Sequence, residues 1–361
     1  MDRFFFGLSI AITLFGLFIL ASASLGISTY QFGGPYYYFL HQLVYGFLPG
    51  LAAIYFTSRL RYSFWKNYSL YILLAAILLT SLVFIKGVGF YYGGAHRWLS
   101  FGSISFQPSE FLKLAYVIYL ASWLESKSKS ISSFRFGFLP FVIMSGFIAS
   151  FLIMQPDIGT LGVLMASILA LFFVSGGSVK QLLGLSGVLA LIVGFLIVME
   201  PYRLERVKVF WDSSHDIEGS GYQINQALIA AGSGGFWGRG FGLSRQKFSY
   251  LPEPIGDSIF AIVAEELGFI GAAVLLSLFL ALFLRGMQIS KYAPDDFGKF
   301  LACGIMFLII FQVLINISAI IGLLPLTGIP LSFVSYGGSA LAVTMAEIGI
   351  VLNISRYRTR G

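Results

Sequence analysis

Charge is scarce in this chain: Asp, Glu, Lys and Arg make up only 11% of its 361 residues, while 57% are hydrophobic. An ordinary soluble domain carries roughly 25% charged residues, so this composition excludes that class and predicts a polytopic membrane protein. Cysteine is nearly absent. Cys303 is the only one, and it sits inside an apolar run, which excludes an intramolecular disulfide and any cysteine-built zinc or iron–sulfur site. Although the formal net charge is +7, the basic residues are scattered between apolar runs and form no stripe. Membrane topology therefore explains them better than a nucleic-acid partner does.

Ten stretches are long enough to span a bilayer at about 20 residues each. They run from Phe4 to Ser24, Tyr38 to Phe56, Tyr71 to Val88, Glu110 to Leu124 and Phe138 to Met154, then from Gly159 to Ser175, Leu182 to Met199, Ile259 to Leu284, Phe300 to Leu324 and Ser339 to Ile354. Ala21-Ser22-Ala23 has the small-x-small look of a signal cleavage site. The apolar stretch before it exceeds the 7–15 residues of a typical signal h-region, so it is read as a helix. The expectation is an all-α membrane domain over residues 1–361, with ten transmembrane helices.

Orientation follows from lysine and arginine. With a cytoplasmic N-terminus, the inner segments hold 14 of these residues and the short outer loops only Lys86 and Arg97. Both termini are then cytoplasmic, and one large outer loop, about residues 200–257, lies between helices seven and eight. It carries an amphipathic stretch from Gly221 to Ala231 and a glycine-dense run from Gly232 to Gly242. Those glycines match neither the Walker A spacing nor a dinucleotide fingerprint.

The loop ends in Tyr250-Leu251-Pro252-Glu253-Pro254-Ile255-Gly256-Asp257-Ser258, a proline-braced segment with two carboxylates just before the apolar run at Ile259. A carboxylate held at a membrane surface is costly, which makes Asp257 a candidate functional group. In Gln107-Pro108-Ser109-Glu110-Phe111-Leu112-Lys113, Pro108 and Ser109 mark a helix start, and Glu110 and Lys113 fall i, i+3 on one helical face. They read either as a packing pair or as the ionic wall of an outward cavity. Arg97 beside Trp98 suits a diphosphate headgroup, whereas His96 reads as an interfacial residue. Asp157 in Gln155-Pro156-Asp157-Ile158-Gly159-Thr160 either caps a helix or serves a site. Of the adjacent Glu265 and Glu266, at most one shares the face of Asp257. Glu347 and Asn316 read as helix-to-helix hydrogen-bonding residues. The stretch from Leu324 to Pro330, followed by Ser335-Tyr336-Gly337-Gly338-Ser339, reads as non-helical backbone lining a cavity.

In order along the chain, Gly94 to Lys113, the turn from Gln155 to Thr160, Gly221 to Gly268 and Leu324 to Ser339 resemble the SEDS family (FtsW/RodA/SpoVE-like) of bacterial cell-wall polymerases. The resemblance implies a peptidoglycan glycosyltransferase of the cytoplasmic membrane that polymerises lipid II at the outer face. Its implied partners are a class B penicillin-binding protein and other divisome or elongasome membrane proteins. It aligns Asp257 with the family's essential outer-loop aspartate, and Glu110 and Lys113 with its polar pair on the fourth helix. Two departures stand out: Ile255-Gly256-Asp257-Ser258 replaces the commoner His or Gln, Thr, Asp, Phe, and Ser332 stands where proline is usual.

The expected chemistry makes Asp257 the general base, with Arg97 and Lys113, joined by Arg239 or Arg245, on the diphosphate. Glu110, Asp157, Glu266 and Ser339 complete the expected substrate-binding set. A divalent cation, Mg or Mn, is a possible helper, though no dedicated ligand set is legible. The rival readings are a lipid flippase and a non-catalytic scaffold for the penicillin-binding protein; against the first, the charges sit toward the outer helix ends and no internal repeat is visible.

Overall fold

In the computed structural model, the described residues are 1–85, 87–92, 95–101, 104–211, 219–248 and 250–358, without the side chains of 91, 92, 95, 101, 104, 201, 202 and 220. Lys86 and Arg360 of the topology count, and Gly94, Gly102, Ser103 and Ser249 of the stretches that carry the resemblance, lie outside the described residues.

A helix forms at each of the ten places where the sequence carries a long apolar run. Helix α1 (Arg3–Ala23) is followed by a short α2 (Leu25–Phe32), α3 (Tyr37–Arg59), a short α4 (Tyr62–Asn67) and α5 (Ser69–Leu82). Beyond a small sheet come α6 (Pro108–Ser126), α7 (Phe134–Met154), α8 (Ile158–Val174) and α9 (Val179–Met199). The outer-loop helices are α10 (Pro201–Trp211) and α11 (Ser220–Ser233), and the chain closes with α12 (Ile259–Lys291), α13 (Asp296–Ile320) and α14 (Gly338–Ile354). By length and composition, six of these (α1, α3, α7, α9, α12 and α13) can cross a membrane, and α5, α8 and α14 are shorter apolar helices. Helix α6 carries Glu110 and Lys113 on its first turns.

The expectation of an all-α chain needs correction between α5 and α6. Strands β1 (Gly89–Tyr92), β2 (Ala95–Phe101) and β3 (Ile104–Phe106) form an antiparallel sheet in the order β1-β2-β3. This segment is rich in Phe, Tyr, Trp and Ile, which favour a pleated, half-buried surface. It also shortens the third expected span, since α5 ends at Leu82.

Helix α13 is the structural centre, buried along nearly its whole length and packed against α6, α8 and α12. Helix α14 packs on α3, with Gly349 so close that a Cβ there would meet Thr57 Oγ1 at 1.9 Å. Small residues allow this close backbone approach between membrane helices. At the other extreme, α9 is apolar and has no buried residue, as expected of a helix whose solvent is lipid.

The two ends of the chain meet on one side. The Asp2 amide donates to Ser355 Oγ at 2.9 Å, and its carboxylate takes Arg285 at 2.8 Å and Arg358 at 3.2 Å.

Helix α12 is broken at Gly268, whose φ of +67° and ψ of −165° are non-helical. The break leaves backbone groups without intrahelical partners, which is costly at membrane depth. The glycine-dense run supplies them: Arg239 and Gly240 amides donate to the carbonyls of Glu265 and Glu266, each at 3.0 Å, and the Phe269 amide donates to Gly235 O at 2.9 Å. A Cβ on Gly268 would lie 2.2 Å from Gly238 N, so glycine is required where the two backbones cross.

Candidate functional site

Asp257 stands at the foot of α12, in a turn whose own hydrogen bonds run from the Gly256 and Ser258 amides to Glu253 O, at 3.0 and 3.3 Å. Buried Leu251 and Ile255 anchor that turn. The irregular segment between α13 and α14 pins it from the other side: Ser335 Oγ donates to Gly256 O at 2.7 Å and the Tyr336 amide donates to Ile255 O at 2.8 Å. Asn316 of α13 uses one amide group for both partners, donating to the carbonyl of Asp257 at 2.9 Å and to that of Ile329 at 2.8 Å.

The carboxylate itself meets the outer-loop helices. Gln223 Nε2 of α11 approaches Oδ1 at 3.2 Å and Oδ2 at 3.4 Å, and Ser258 Oγ at 3.1 Å. Arg206 of α10 donates to Leu326 O at 2.8 Å. A Cβ built on Gly328 would lie 3.9 Å from both Arg206 Nη1 and Asp257 Oδ2, so the cation and the carboxylate flank one glycine. Burial, with the Glu253 charge, pushes the Asp257 carboxyl up to about 6, against the opposing pull of Arg206 and of the Gln223 and Ser258 hydrogen bonds. A carboxyl titrating there is suited to taking a proton near neutral pH.

A second group hangs from the same irregular segment. Lys113 and Glu110 form a 2.9 Å ion pair with only 4% of each side chain exposed. Lys113 Nζ also donates to Gln312 Oε1 at 2.6 Å, and Gln312 Nε2 donates to Pro330 O at 3.0 Å. Glu347 of α14 is buried within electrostatic reach of both charges. Ser339 Oγ accepts the Gln107 amide at 3.3 Å, and Gln107 Nε2 reaches Asp157 Oδ2 at 3.4 Å. Asp157 also caps α8 through Thr160 N at 3.2 Å, the capping reading of the sequence. Arg97 is held on that hairpin by the carbonyls of Gln155, at 3.1 Å, and Pro156, at 2.5 Å.

The remaining expected site residues gather elsewhere, around the break in α12. Glu266 binds Lys247 at 2.7 Å with neither side chain exposed, and accepts from Ser22. Glu265 accepts the Arg245 amide at 3.0 Å and faces Arg239 at 3.7 Å. These acids fasten the glycine-dense run to the broken helix, and no described hydrogen bond joins them to Asp257.

A family model described as "Cell cycle protein", that of FtsW, RodA and SpoVE, matches residues 2–360. The chain belongs to the FtsW/RodA/SpoVE family. Among its relatives, this family member is 42% identical to stage V sporulation protein E of Bacillus subtilis, over 95% of this chain and 93% of that protein. It is 37% identical to the probable peptidoglycan glycosyltransferase FtsW of Geobacter metallireducens, over 96% and 92% of the two chains. Its fold matches a chain in a structure described as "Structural coordination of polymerization and crosslinking by a peptidoglycan synthase complex", with a TM-score of 0.81 and 26% identity over 100% of this chain and 99% of that one. The rod shape determining protein RodA of Thermus thermophilus matches with a TM-score of 0.73, again at 26% identity, over 100% and 98%.

In this family member, the sequence marks none of Gln223, Arg206, Gln312 and Lys247 as a site residue, and Asn316, expected to hydrogen-bond between helices, donates instead to the carbonyls of Asp257 and Ile329. Lys247 follows Arg245 and Gln246 in a polar stretch, so only its contacts with Ser22 and Glu266 set it apart. The others reveal themselves only through partners that are distant in sequence.

Proposed function

We propose that this chain is a peptidoglycan glycosyltransferase that polymerises lipid II at the outer face of the bacterial cytoplasmic membrane, beside a class B penicillin-binding protein. It does so as one integral membrane domain with ten spans and both termini cytoplasmic. The observation that carries the reading is Asp257, whose backbone turn is held by Asn316 and Ser335 and whose carboxylate meets Gln223 of α11 and is raised toward neutral pH. The names of the relatives and of the structural neighbour support the reaction class. The 14 lysines and arginines of the inner segments, and the meeting of the two ends of the chain, support the orientation.

In the reaction, the acceptor sugar's 4-hydroxyl oxygen bonds to the donor's anomeric carbon with inversion as the bond to the diphosphate breaks. Undecaprenyl diphosphate leaves with the electron pair, and Asp257 takes the hydroxyl proton, an assistance of about 10²–10⁴-fold. Undecaprenyl diphosphate is a good leaving group, so the second carboxyl group of a glycosidase is not required. Arg97 and Lys113 hold the diphosphate, with Arg206 adding positive charge beside Asp257. Glu110 pairs with Lys113, and Asp157 and Ser339 are joined beside them through Gln107. Arg239, Arg245 and Glu266 support the loop rather than the substrate. Among the described residues no group of three or more His, Cys, Asp and Glu side chains can hold a metal ion. Mg or Mn is commonly held by one or two carboxylates together with a substrate's own phosphates, so a divalent cation on the diphosphate stays a proposed helper, and no step runs through one.

The test is polymerisation of purified lipid II in detergent, with and without a penicillin-binding protein whose transpeptidase is blocked. Polymer from the wild type that disappears in a folded Asp257→Asn variant is the expected result. Polymer at the normal rate from that variant refutes the base assignment, and leaflet exchange of labelled lipid II without polymer refutes the glycosyltransferase reading in favour of a flippase.

A further inference from the structure

Two independent attachments hold Asp257. Its backbone is fastened to the segment between α13 and α14 through Asn316 and the Gly256 carbonyl. Its carboxylate is held from the opposite side by α11, through one nitrogen. Gln223 Nε2 lies 3.2 and 3.4 Å from the two carboxylate oxygens and 3.1 Å from Ser258 Oγ. The Ser258 hydroxyl adds a longer contact to Oδ1 at 3.4 Å. Ser258 thereby gives the amide a second acceptor beside the carboxylate.

Helix α11 is a firm support. Ile224, Ala227 and Ala230 recur at i, i+3 and i+6 and are buried, and the helix packs along α12. Gln223 precedes this buried stripe, so its position is set by the packing of α11 rather than by the loop around it. The alternative partner for the carboxylate is the Arg206 guanidinium across Gly328. A carboxylate turned fully into an ion pair with arginine is a weaker base.

We infer that Gln223 is a positioning residue for Asp257, holding the carboxylate by a neutral donor in the orientation in which it accepts the sugar proton. This inference rests on the glycosyltransferase reading and adds the residue that orients its base. The groups facing the carboxylate are Gln223 from α11, Arg206 from α10, and Ser258 and Glu253 from its own turn. Among these, the glutamine is the neutral donor supplied from a different element.

The experiment compares wild type with Gln223→Leu, Gln223→Glu and Asp257→Asn in detergent. Polymerisation is followed against pH, and the protonated-carboxyl infrared band of Asp257, identified by its loss in Asp257→Asn, is titrated in parallel. Removing a donor from the charged form moves the carboxyl titration and the acid limb of turnover upward together. The expected shift is about one pH unit for Gln223→Leu, and a larger one for Gln223→Glu, which sets a like charge against the carboxylate. Turnover at the plateau falls about tenfold or more while the KM for lipid II stays within about twofold, because the defect lies in the orientation of the base. An infrared titration unmoved in both variants overturns the inference, as does lost activity with an unmoved pH profile, the mark of a merely structural role. Normal polymerisation by Asp257→Asn refutes the underlying reading instead, and the infrared titration separates the two failures because it needs no substrate.

Discussion

Lys247→Met is expected to destabilise this protein far more than its place in a glycine-rich loop suggests. The Lys247 ammonium is wholly buried, 2.7 Å from Glu266 Oε1, 2.8 Å from Ser22 Oγ and 2.9 Å from Gly242 O. Glu266 is equally buried and keeps three other donors, Ser22 Oγ at 2.7 Å and the Gly242 and Ser244 amides at 3.1 and 3.3 Å. Removing one partner of such a pair strands the other charge, at a cost of about 3–5 kcal/mol. The surviving donors of Glu266 place the expected loss near the lower end, roughly 3 kcal/mol. Glu266→Gln strands the ammonium in turn and is expected to cost a similar amount. Lys247→Met combined with Glu266→Gln leaves no buried charge and is expected to cost about 3–4 kcal/mol, well short of the roughly 6 kcal/mol sum of the two singles, a coupling energy of about 2–3 kcal/mol in the double-mutant cycle. Thermal unfolding of the four proteins in detergent, with proteolysis of the outer loop as a local readout, measures this. A double variant as unstable as the sum of the two singles refutes the reasoning, because the ammonium and carboxylate would then act independently.

Two further outcomes are expected. Gly268→Ala forces a Cβ to within 2.2 Å of Gly238 N at a φ of +67°, so it is expected to lose about 1–3 kcal/mol from backbone strain and to loosen the bonds between the glycine-dense run and α12. Its melting temperature, compared with that of a glycine substituted where a Cβ meets nothing, such as Gly146→Ala, checks this. Asp257 gives a pH-dependent stability of definite sign: folding raises its carboxyl from 3.8 to about 6 and thereby favours the neutral form. That contribution is intact below pH 3.8 and is lost as pH rises through 6, at a cost of about 3 kcal/mol by pH 7. Asp257→Asn is therefore expected to melt above the wild type at pH 7 and close to it at pH 4, and equal melting at both values counts against a raised carboxyl.

Much of the architecture was legible because it is written locally. Each long apolar run became a helix, since a backbone in an apolar medium has few other ways to satisfy its own polar groups. The Gln107-Pro108-Ser109 start placed Glu110 and Lys113 on one helical face, and the structure joins them at 2.9 Å. Asp257 was legible for a similar reason, as a charge whose position at the foot of an apolar helix is costly enough to need an explanation. Tertiary structure decided which groups surround that charge. Gln223 is 34 residues from Asp257 and Asn316 is 59, and no periodicity links such distances. The helix start at Gly221 and the apolar run through Asn316 look the same whichever carboxylate they eventually meet. The break in α12 was equally hidden: glycine at 268 permits it, but the strand of backbone from Gly235 to Gly240 makes it affordable by occupying the exposed amides and carbonyls. Local sequence determines where helices form, because helical hydrogen bonds close within four residues; the surroundings of a side chain depend on which helices pack together, and that is decided by the whole chain at once.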